Sequence, residues 1–258
     1  MPPRGPRTIL LTGATGAIGG ALARAYAQAG KTLILQGRNP DQLGRISGLC
    51  RERGAEVREV QMDLTDVGVG REWMAETLTR HDPDLVILNA GVNIDVGEDG
   101  SGERWDHAHA LIELNLVATM GLADLVGRHM RARGGGQLVL MSSLAGEFGI
   151  PVTPSYSASK AGLKAYGEAL RGWLGPRGVR VNVVMPGYVA SVMCDAMPGP
   201  KPFLMPPERA AAIIRRGLAR DRARIAFPFW LSIGTRWLGL LPTDWALAIL
   251  RRLGYRAP

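Results

Sequence analysis

Short apolar runs alternate with segments of helical periodicity along most of the chain. Six runs have the length and composition of buried strands: Arg7–Thr12, Lys31–Gln36, Glu56–Met62, Leu85–Asn89, Gln137–Ser142 and Val179–Val184. The segments between them predict helices over Ile18–Ala29, Asp41–Arg53, Arg71–His81, Trp105–Arg133 and Tyr156–Leu174. Continuous apolar strands that alternate with helices are typical of a parallel sheet covered on both faces.

This order of elements predicts an α/β, doubly wound (Rossmann-like) three-layer fold, which binds ligands at the carboxyl ends of its strands. Glu208–Leu218 adds a predicted helix and Arg224–Phe227 a seventh strand, so we expect a mainly parallel seven-stranded sheet. No change in composition interrupts the chain before about residue 190. We therefore predict one domain over residues 1–258, with 192–208 as a loop beside the ligand site and 225–258 as a basic and apolar C-terminal extension.

Composition and charge narrow the choice of partners. The net charge is +8, but residues 1–206 hold 21 Lys/Arg against 20 Asp/Glu, and residues 207–258 hold 10 Arg against 3 acids. Because the main body is nearly neutral, we expect no nucleic-acid binding. Two cysteines exclude a disulfide scaffold, and four scattered histidines have no metal-ligand spacing, so no metal is expected. We recognise no signal peptide and no uncharged run long enough to span a membrane, which favours a cytoplasmic protein.

A glycine-rich turn links the first strand to the first helix. Gly13, Gly16 and Gly19 fall in Thr12-Gly13-Ala14-Thr15-Gly16-Ala17-Ile18-Gly19. A tight turn at a helix N-terminus directs backbone N–H groups at an anion, and the helix dipole favours negative charge there. The alternative is an ordinary glycine-rich turn with no ligand.

Three further motifs follow in a fixed order: Asn89-Ala90-Gly91, Tyr156-Ser157-Ala158-Ser159-Lys160, and Pro186-Gly187. Together with the glycine loop they resemble the single-domain branch of the short-chain dehydrogenase/reductase family, over residues 8 to about 192. Ala17 stands where that branch has a glycine, and the spacing 13, 16, 19 is similar to that of the sugar-nucleotide-modifying branch. A sugar-nucleotide-modifying enzyme is therefore one alternative.

The residues at the end of the second strand indicate whether the cofactor is NAD or NADP. NAD enzymes of this fold place an acidic residue there, but here the chain reads Gln36-Gly37-Arg38-Asn39. The resemblance implies NADP (NADPH), with Arg38 on its 2′-phosphate and help from Thr15 and Asn39. The alternative for Arg38 is a solvated surface arginine. The other cofactor-binding residues that the resemblance implies are Gly13, Gly16, Ala17, Ile18, Gly19, Asp63, Leu64, Asn89, Ala90, Gly91, Tyr156, Lys160, Pro186, Gly187, Val189 and Ser191.

Tyr156 and Lys160 are four residues apart on a predicted helix and so share one face. For acid–base work near neutral pH, the pKa of a tyrosine must fall by roughly three units, or about 4 kcal/mol. An ammonium at about 4 Å supplies about that much at an effective dielectric constant near 20. We therefore expect Lys160 to lower the pKa of Tyr156. Taken alone, the pair could equally be a surface helix pair.

The resemblance implies the remaining catalytic roles. Ser143 lies 13 residues before Tyr156, where the family has its substrate-orienting serine, and Asn115 matches an asparagine that holds a water in a proton relay. A buried Asn115 satisfied by backbone groups is the alternative. The implied activity is interconversion of a ketone and a secondary alcohol, with Tyr156 as general acid or base and a small carbonyl or alcohol substrate. A non-catalytic NADP-binding regulatory protein is the competing hypothesis.

The C-terminal region departs from the family's pattern. Phe203, Leu204 and Met205 predict an apolar lid, and hence an apolar or lipid-like substrate. Beyond it, three of the six tryptophans alternate with leucines and with Arg236, Arg251, Arg252 and Arg256. This mixture is typical of a helix that contacts a membrane peripherally. A terminal helix packed on its own domain or on a partner subunit is the alternative, which we favour from the sequence. We expect a homo-oligomer, with a dimer through helices 105–133 and 156–174 favoured over a tetramer.

Overall fold

The computed structural model describes residues 5–97 and 99–255 of the chain. Seven strands form one sheet in the order β3-β2-β1-β4-β5-β6-β7, and every neighbouring pair is parallel. The strands are β1 (Thr8–Leu11), β2 (Thr32–Gly37), β3 (Glu56–Gln61), β4 (Leu85–Leu88), β5 (Gly136–Met141), β6 (Val179–Pro186) and β7 (Arg224–Phe227). The predicted fold class and the predicted seventh strand are confirmed.

Ten α-helices lie within the described residues. They are α1 (Ala17–Tyr26), α2 (Pro40–Arg51), α3 (Val67–His81), α4 (Trp105–Ile112), α5 (Thr119–Arg133), α6 (Pro154–Leu174), α7 (Val192–Ala196), α8 (Pro207–Ala219), α9 (Phe229–Leu238) and α10 (Thr243–Arg252). The predicted single helix over Trp105–Arg133 is interrupted by a π-helical turn at Glu113–Ala118. The first helix ends at Tyr26, earlier than predicted, because Ala27 adopts an extended conformation with ψ 109°.

The central strands of the sheet are buried on both faces, which explains why β1 and β4 are continuously apolar; β3, which was expected to be buried, lies at the edge and is largely exposed. Ile9 and Leu11 of β1 pack with α1 and α8 on one face, whereas Leu10 packs with residues of α3 and α5 on the other. Side chains alternate between the faces of a strand, so a strand covered on both faces needs an apolar residue at every position.

The stretch Trp105–Arg133 is long and apolar enough to cross a membrane, by length and composition alone. Half of its most apolar window is buried inside the protein. Leu122, Val126 and Met130 of α5 belong to the hydrophobic core beside the sheet. We interpret this stretch as a core helix.

The strand order reverses between β1 and β4, so a crevice opens at their carboxyl ends. The Thr12 hydroxyl accepts hydrogen bonds from the backbone N–H groups of Asn89 (2.9 Å) and Ala90 (3.1 Å). The Asn89 side-chain amide donates to the carbonyl of Gly13 at 3.0 Å. These bonds hold the loop after β4 against the glycine loop after β1.

Candidate active site

The glycine loop is held in place by a buried glutamine. Gly13 has a φ of +65°, a conformation that favours glycine, and its N–H donates to Gln36 Oε1 at 3.0 Å. Gln36 is 2% exposed, and its Nε2 donates to the carbonyl of Met62 at 2.7 Å. Sequence analysis missed Gln36 as a site residue. The available signal was a polar residue inside a buried apolar strand.

The N-terminus of α1 faces the crevice without a side-chain cap at Gly16. The N–H groups in the first turn of a helix have no partner within that helix, so an uncapped end is a place for an anion. A Cβ at Gly19 would lie 2.1 Å from the Gly13 carbonyl oxygen, which shows how tightly the helix packs on the loop. Ala17 is half-buried and lines the cleft, so its methyl group replaces the family's glycine at an open position. The loop therefore fits a dinucleotide pyrophosphate.

Arg38 stands at the end of β2 with 60% of its side chain exposed, 3.8 Å from Asp63 Oδ2. Hydrogen bonds from Thr65, together with Arg38, lower the pKa of Asp63, so that carboxylate stays charged at neutral pH. Gly37 packs on Thr15, because a Cβ there would lie 2.7 Å from Thr15 Cγ2. This end of the cleft thus offers a cation and a hydroxyl, a donor set that suits a phosphate monoester.

Asn39 has a different place from the one expected. Its side chain caps α2 by accepting a hydrogen bond from Gln42 N at 2.9 Å, and Asn39 does not line the cleft. An asparagine just before a helix that opens with Pro40 is a common N-cap, so the local sequence explains this placement.

Tyr156, Lys160 and Ser143 meet on the wall opposite the glycine loop. Lys160 is 4% exposed; its Nζ donates to the Met141 carbonyl at 3.0 Å and lies 5.5 Å from the centre of the Tyr156 ring. Ser143 Oγ accepts from Ala145 N at 3.1 Å and has a long contact of 3.4 Å with the Pro186 carbonyl. The neighbouring Ser142 donates to the Lys160 carbonyl at 2.7 Å and so fixes α6 against β5.

The pKa of Tyr156 shifts in the opposite direction from the prediction. Burial raises it above its ordinary value, and a hydrogen bond with Ser143 offsets part of that rise. Burial also lowers the pKa of Lys160 to about 8. The sequence argument counted the attraction of the ammonium but left out the desolvation of both groups, which dominates in the protein alone.

Asn115 sits in the π-helical turn and is fully buried. Its Oδ1 accepts from Val92 N at 2.9 Å, and its Nδ2 donates to the Val92 carbonyl at 2.9 Å and to Ser159 Oγ at 3.3 Å. The side chain is thus occupied by protein groups, as the alternative reading of a backbone-satisfied asparagine expects. It holds the loop after β4 beside Lys160.

One cavity of about 1120 Å³ joins the glycine loop, Arg38 and the Tyr156 wall. Of the site residues expected from sequence, it is lined by Gly13, Thr15, Gly16, Ala17, Ile18, Gly19, Arg38, Asp63, Leu64, Asn89, Ala90, Gly91, Ser143, Tyr156, Lys160, Pro186, Gly187, Val189 and Ser191. The predicted apolar lid is wrong. Phe203 and Leu204 are exposed and Met205 is in the core, and none of the three lines the cavity.

The apolar end of the cavity is built by the first part of the predicted loop 192–208 and by α9, which sequence analysis did not assign to the site. Val192, Met193 and Met197 contribute from α7 and the turn after it, and Leu231, Trp237 and Leu238 from α9. A Cβ at Gly187 would lie 2.8 Å from Leu231 Cδ2, so α9 packs directly on the loop after β6. The Tyr188 hydroxyl donates to that of Tyr255 at 2.9 Å, and the Tyr255 hydroxyl donates to the Pro200 carbonyl at 3.0 Å.

Replacing Lys160 with methionine is expected to stabilise the ligand-free protein. The fall in the pKa of Lys160 from 10.5 to about 8 lowers the free energy of unfolding of the wild type by about 3 kcal/mol at neutral pH. The variant also loses the hydrogen bond of Lys160, which offsets about 1 kcal/mol of its gain. We expect Lys160→Met to raise the free energy of unfolding by about 2 kcal/mol at pH 7 in urea titrations. Between about pH 8 and 10.5 Lys160 is protonated in the unfolded state but not in the folded state, so the wild type becomes more stable as the pH rises. The difference in stability between the variant and the wild type therefore shrinks in this range.

Lys164→Met on the same helix is the matched control. Lys164 forms an ion pair with Glu147 at 2.5 Å, so its replacement should lower stability at pH 7. A Lys160→Met protein that is less stable than wild type at pH 7 would contradict the cost assigned to the buried ammonium.

Comparisons with known proteins agree with this geometry. The family profile described as short chain dehydrogenase matches residues 7–199. An uncharacterized oxidoreductase of Myxococcus xanthus (strain DK1622) is 34% identical over 250 residues, which is 96% of this chain and 97% of that protein. A solved short-chain dehydrogenase from Sphingobium yanoikuyae in complex with NADPH has a TM-score of 0.79 and 25% identity, covering 95% of each chain.

Proposed function

Because the chain belongs to the short-chain dehydrogenase/reductase family, whose members are oxidoreductases that act on CH–OH or carbonyl groups, we propose that it is NADP-dependent and interconverts an apolar ketone and its secondary alcohol. One observation carries this proposal: a tyrosine, a serine and a lysine line the same cavity as an uncapped helix N-terminus and an arginine. A regulatory protein that only binds NADP needs the helix N-terminus and the arginine, but it has no use for the tyrosine, the serine and the lysine.

The catalytic roles follow from the contacts of each side chain. When bound, the nicotinamide accepts or supplies the hydride. Tyr156 moves the proton to or from the substrate oxygen, and its raised pKa keeps the hydroxyl protonated and ready to donate during reduction. Ser143 gives up its long contact with the Pro186 carbonyl and donates to the same substrate oxygen, where negative charge develops.

Lys160 and Asn115 support this chemistry without touching the substrate carbon. An ammonium has three donors, and among the described residues one goes to the Met141 carbonyl, which leaves others for a ribose hydroxyl. Asn115 is a positioning residue, because its amide fixes Val92 and so keeps the loop after β4 next to Lys160. A Cβ at Gly91 would lie 3.4 Å from Lys160 Nζ, so glycine leaves room at this point.

The apolar substrate is inferred from the walls beyond Tyr156. Leu231, Leu238 and Met197 border that end of the cavity, where the polar groups are few. Pockets of this kind bind apolar molecules, with a small number of polar groups fixing their orientation. The Ser143 and Tyr156 hydroxyls serve that purpose here.

Titration with NADPH and with NADH, followed by nicotinamide fluorescence, tests the cofactor assignment. We expect tight NADPH and weak NADH binding. Arg38→Leu should weaken NADPH binding by about 10- to 100-fold, the value of a charge-assisted hydrogen bond, and leave NADH binding nearly unchanged. Arg45→Leu is the matched control, because Arg45 is exposed on α2 outside the cavity lining. A wild-type preference for NADH, or equal effects of the two variants, would contradict the role of Arg38.

A further inference from the structure

The outer side of the last two helices is unusually apolar. Six side chains there each expose between 57% and 77% of their surface, and together they define the C-terminal apolar surface: Phe229, Trp230, Trp237, Leu240, Trp245 and Leu253. No residue of α9 is buried. Contiguous exposed aromatic and aliphatic side chains mark an interaction site more often than scattered ones do.

The helix α9 has two apolar sides with different surroundings. Leu231 and Leu238 line the cavity, and Leu231 also packs with Leu144, Val183 and Met185. Phe229 and Trp230 do not line the cavity; they are exposed and stack edge to face, with ring centres 5.2 Å apart. One side is therefore explained by the fold, whereas the other needs a partner.

The mouth of the substrate cavity opens within this surface. Trp237 and Leu253 line the cavity and yet are 63% and 57% exposed, so they stand at its rim. Ile249 of α10 does the same, and Val192 and Met193 of α7 complete the rim with exposures of 88% and 41%. A rim of exposed apolar residues is poorly suited to a substrate arriving from water and well suited to one arriving from an apolar phase.

Charge decides which partner fits. Arg236 is exposed on α9, the helix that carries Phe229 and Trp230, and Arg252 is exposed on α10, the helix that carries Trp245. Residues 229–253, which contain both helices, hold three arginines against one acid. A second copy of the chain would bring these cations together across the interface, whereas an anionic lipid headgroup would neutralise them. Tryptophan and leucine flanked by arginine are typical of helices that lie in a bilayer interface.

We propose that the C-terminal apolar surface docks on anionic lipid bilayers, with α9 and α10 lying in the interface and the cavity mouth facing the acyl chains. The protein thereby takes a membrane-dissolved carbonyl or alcohol directly from the bilayer. The docking is inferred from the C-terminal apolar surface alone. Only the transfer of substrate from the bilayer rests on the proposed function.

Co-sedimentation of the full chain with vesicles tests the docking, without cofactor or substrate. We expect strong binding to phosphatidylcholine mixed with phosphatidylglycerol, and weak binding to phosphatidylcholine alone. The triple variant Phe229→Ser, Trp230→Ser, Trp245→Ser avoids the cavity lining and should lose at least about a hundredfold in vesicle partitioning. Arg236→Gln with Arg252→Gln should lose roughly tenfold or more, only on the anionic vesicles.

Controls separate the proposal from its alternatives. Trp105→Ser with Trp173→Ser removes exposed tryptophans from α4 and α6, outside this surface, and should bind vesicles as wild type does. The triple variant should keep wild-type turnover of a water-soluble ketone. Equal pelleting of wild type and triple variant would overturn the proposal. The proposal would also be overturned if the wild type does not bind vesicles but sediments as a dimer, whereas the triple variant sediments as a monomer. Absent turnover with intact vesicle binding would contradict the proposed function instead.

Discussion

Tyr156→Phe is expected to lower kcat in carbonyl reduction by about a thousandfold, within the range of general acid catalysis, while NADPH affinity changes by no more than about twofold. The substitution removes only the hydroxyl that moves the proton. The ring, its distance of 5.5 Å to Lys160 Nζ and the walls of the cavity are kept. Steady-state kinetics on a ketone substrate, combined with fluorescence titration of NADPH, measure the two quantities separately.

Two tyrosines supply matched controls for this result. Tyr166→Phe makes the same change on the same helix, at a hydroxyl whose contact is the Met120 carbonyl at 3.4 Å, and should leave kcat unchanged. Tyr188 also lines the cavity, but its hydroxyl donates to Tyr255. If Tyr156→Phe keeps wild-type turnover and Tyr188→Phe loses it, the proton donor has been assigned to the wrong residue.

The fold was predictable because its signals are local. Each buried strand is a continuous apolar run, and each covering helix has its own periodicity, so even the seventh strand, Arg224–Phe227, was placed correctly. The glycine loop was equally visible, because a turn between a strand and a helix needs particular residues at fixed positions. The order β3-β2-β1-β4-β5-β6-β7 was not predicted, because right-handed crossovers are compatible with more than one order of a doubly wound sheet.

What sequence analysis missed depends on contacts between distant segments. Gln36 is tied to Gly13 across 23 positions, and the Asn115 side chain is tied to Val92 across another 23. A polar position in an apolar strand marked Gln36 and the family resemblance marked Asn115, but no local pattern shows which distant backbone group either side chain holds. The direction of the Tyr156 pKa shift failed for a related reason, since desolvation depends on everything packed around the hydroxyl.

The substrate end of the cavity shows the same limit more clearly. The run Phe203, Leu204, Met205 suggested a lid because it is apolar and lies in the expected loop, but an apolar run does not reveal which side its residues face. Met205 turns into the core, where it forms a parallel bridge with Val189. The wall is provided instead by α9, whose Leu231 reaches the loop at Gly187 from 44 positions away.

Gly19→Ala is expected to lower stability more than a methyl group added at any other position of the glycine loop. The added Cβ would lie 2.1 Å from the Gly13 carbonyl oxygen and 3.0 Å from the Ala14 Cα. Both neighbours are backbone atoms, so the clash cannot be relieved by rotating a side chain, and either α1 or the loop must move. We expect a loss of about 3 kcal/mol in the free energy of unfolding, despite the better helix propensity of alanine.

The affinity of Gly19→Ala for NADPH should fall together with its stability, because the displaced N–H groups are those that face the pyrophosphate. A shift of α1 away from the loop misaligns the N–H groups of its first turn, and NADPH binding should weaken by about tenfold or more. Gly16→Ala is the matched control, since its Cβ would meet only the Gly13 oxygen at 3.4 Å, an ordinary contact. Gly44→Ala on α2 has open space around it and should raise stability by about 0.5 to 1 kcal/mol. Urea unfolding and NADPH titration of the three variants test this order; a Gly19→Ala protein as stable as Gly16→Ala would show that the loop is looser than its geometry implies.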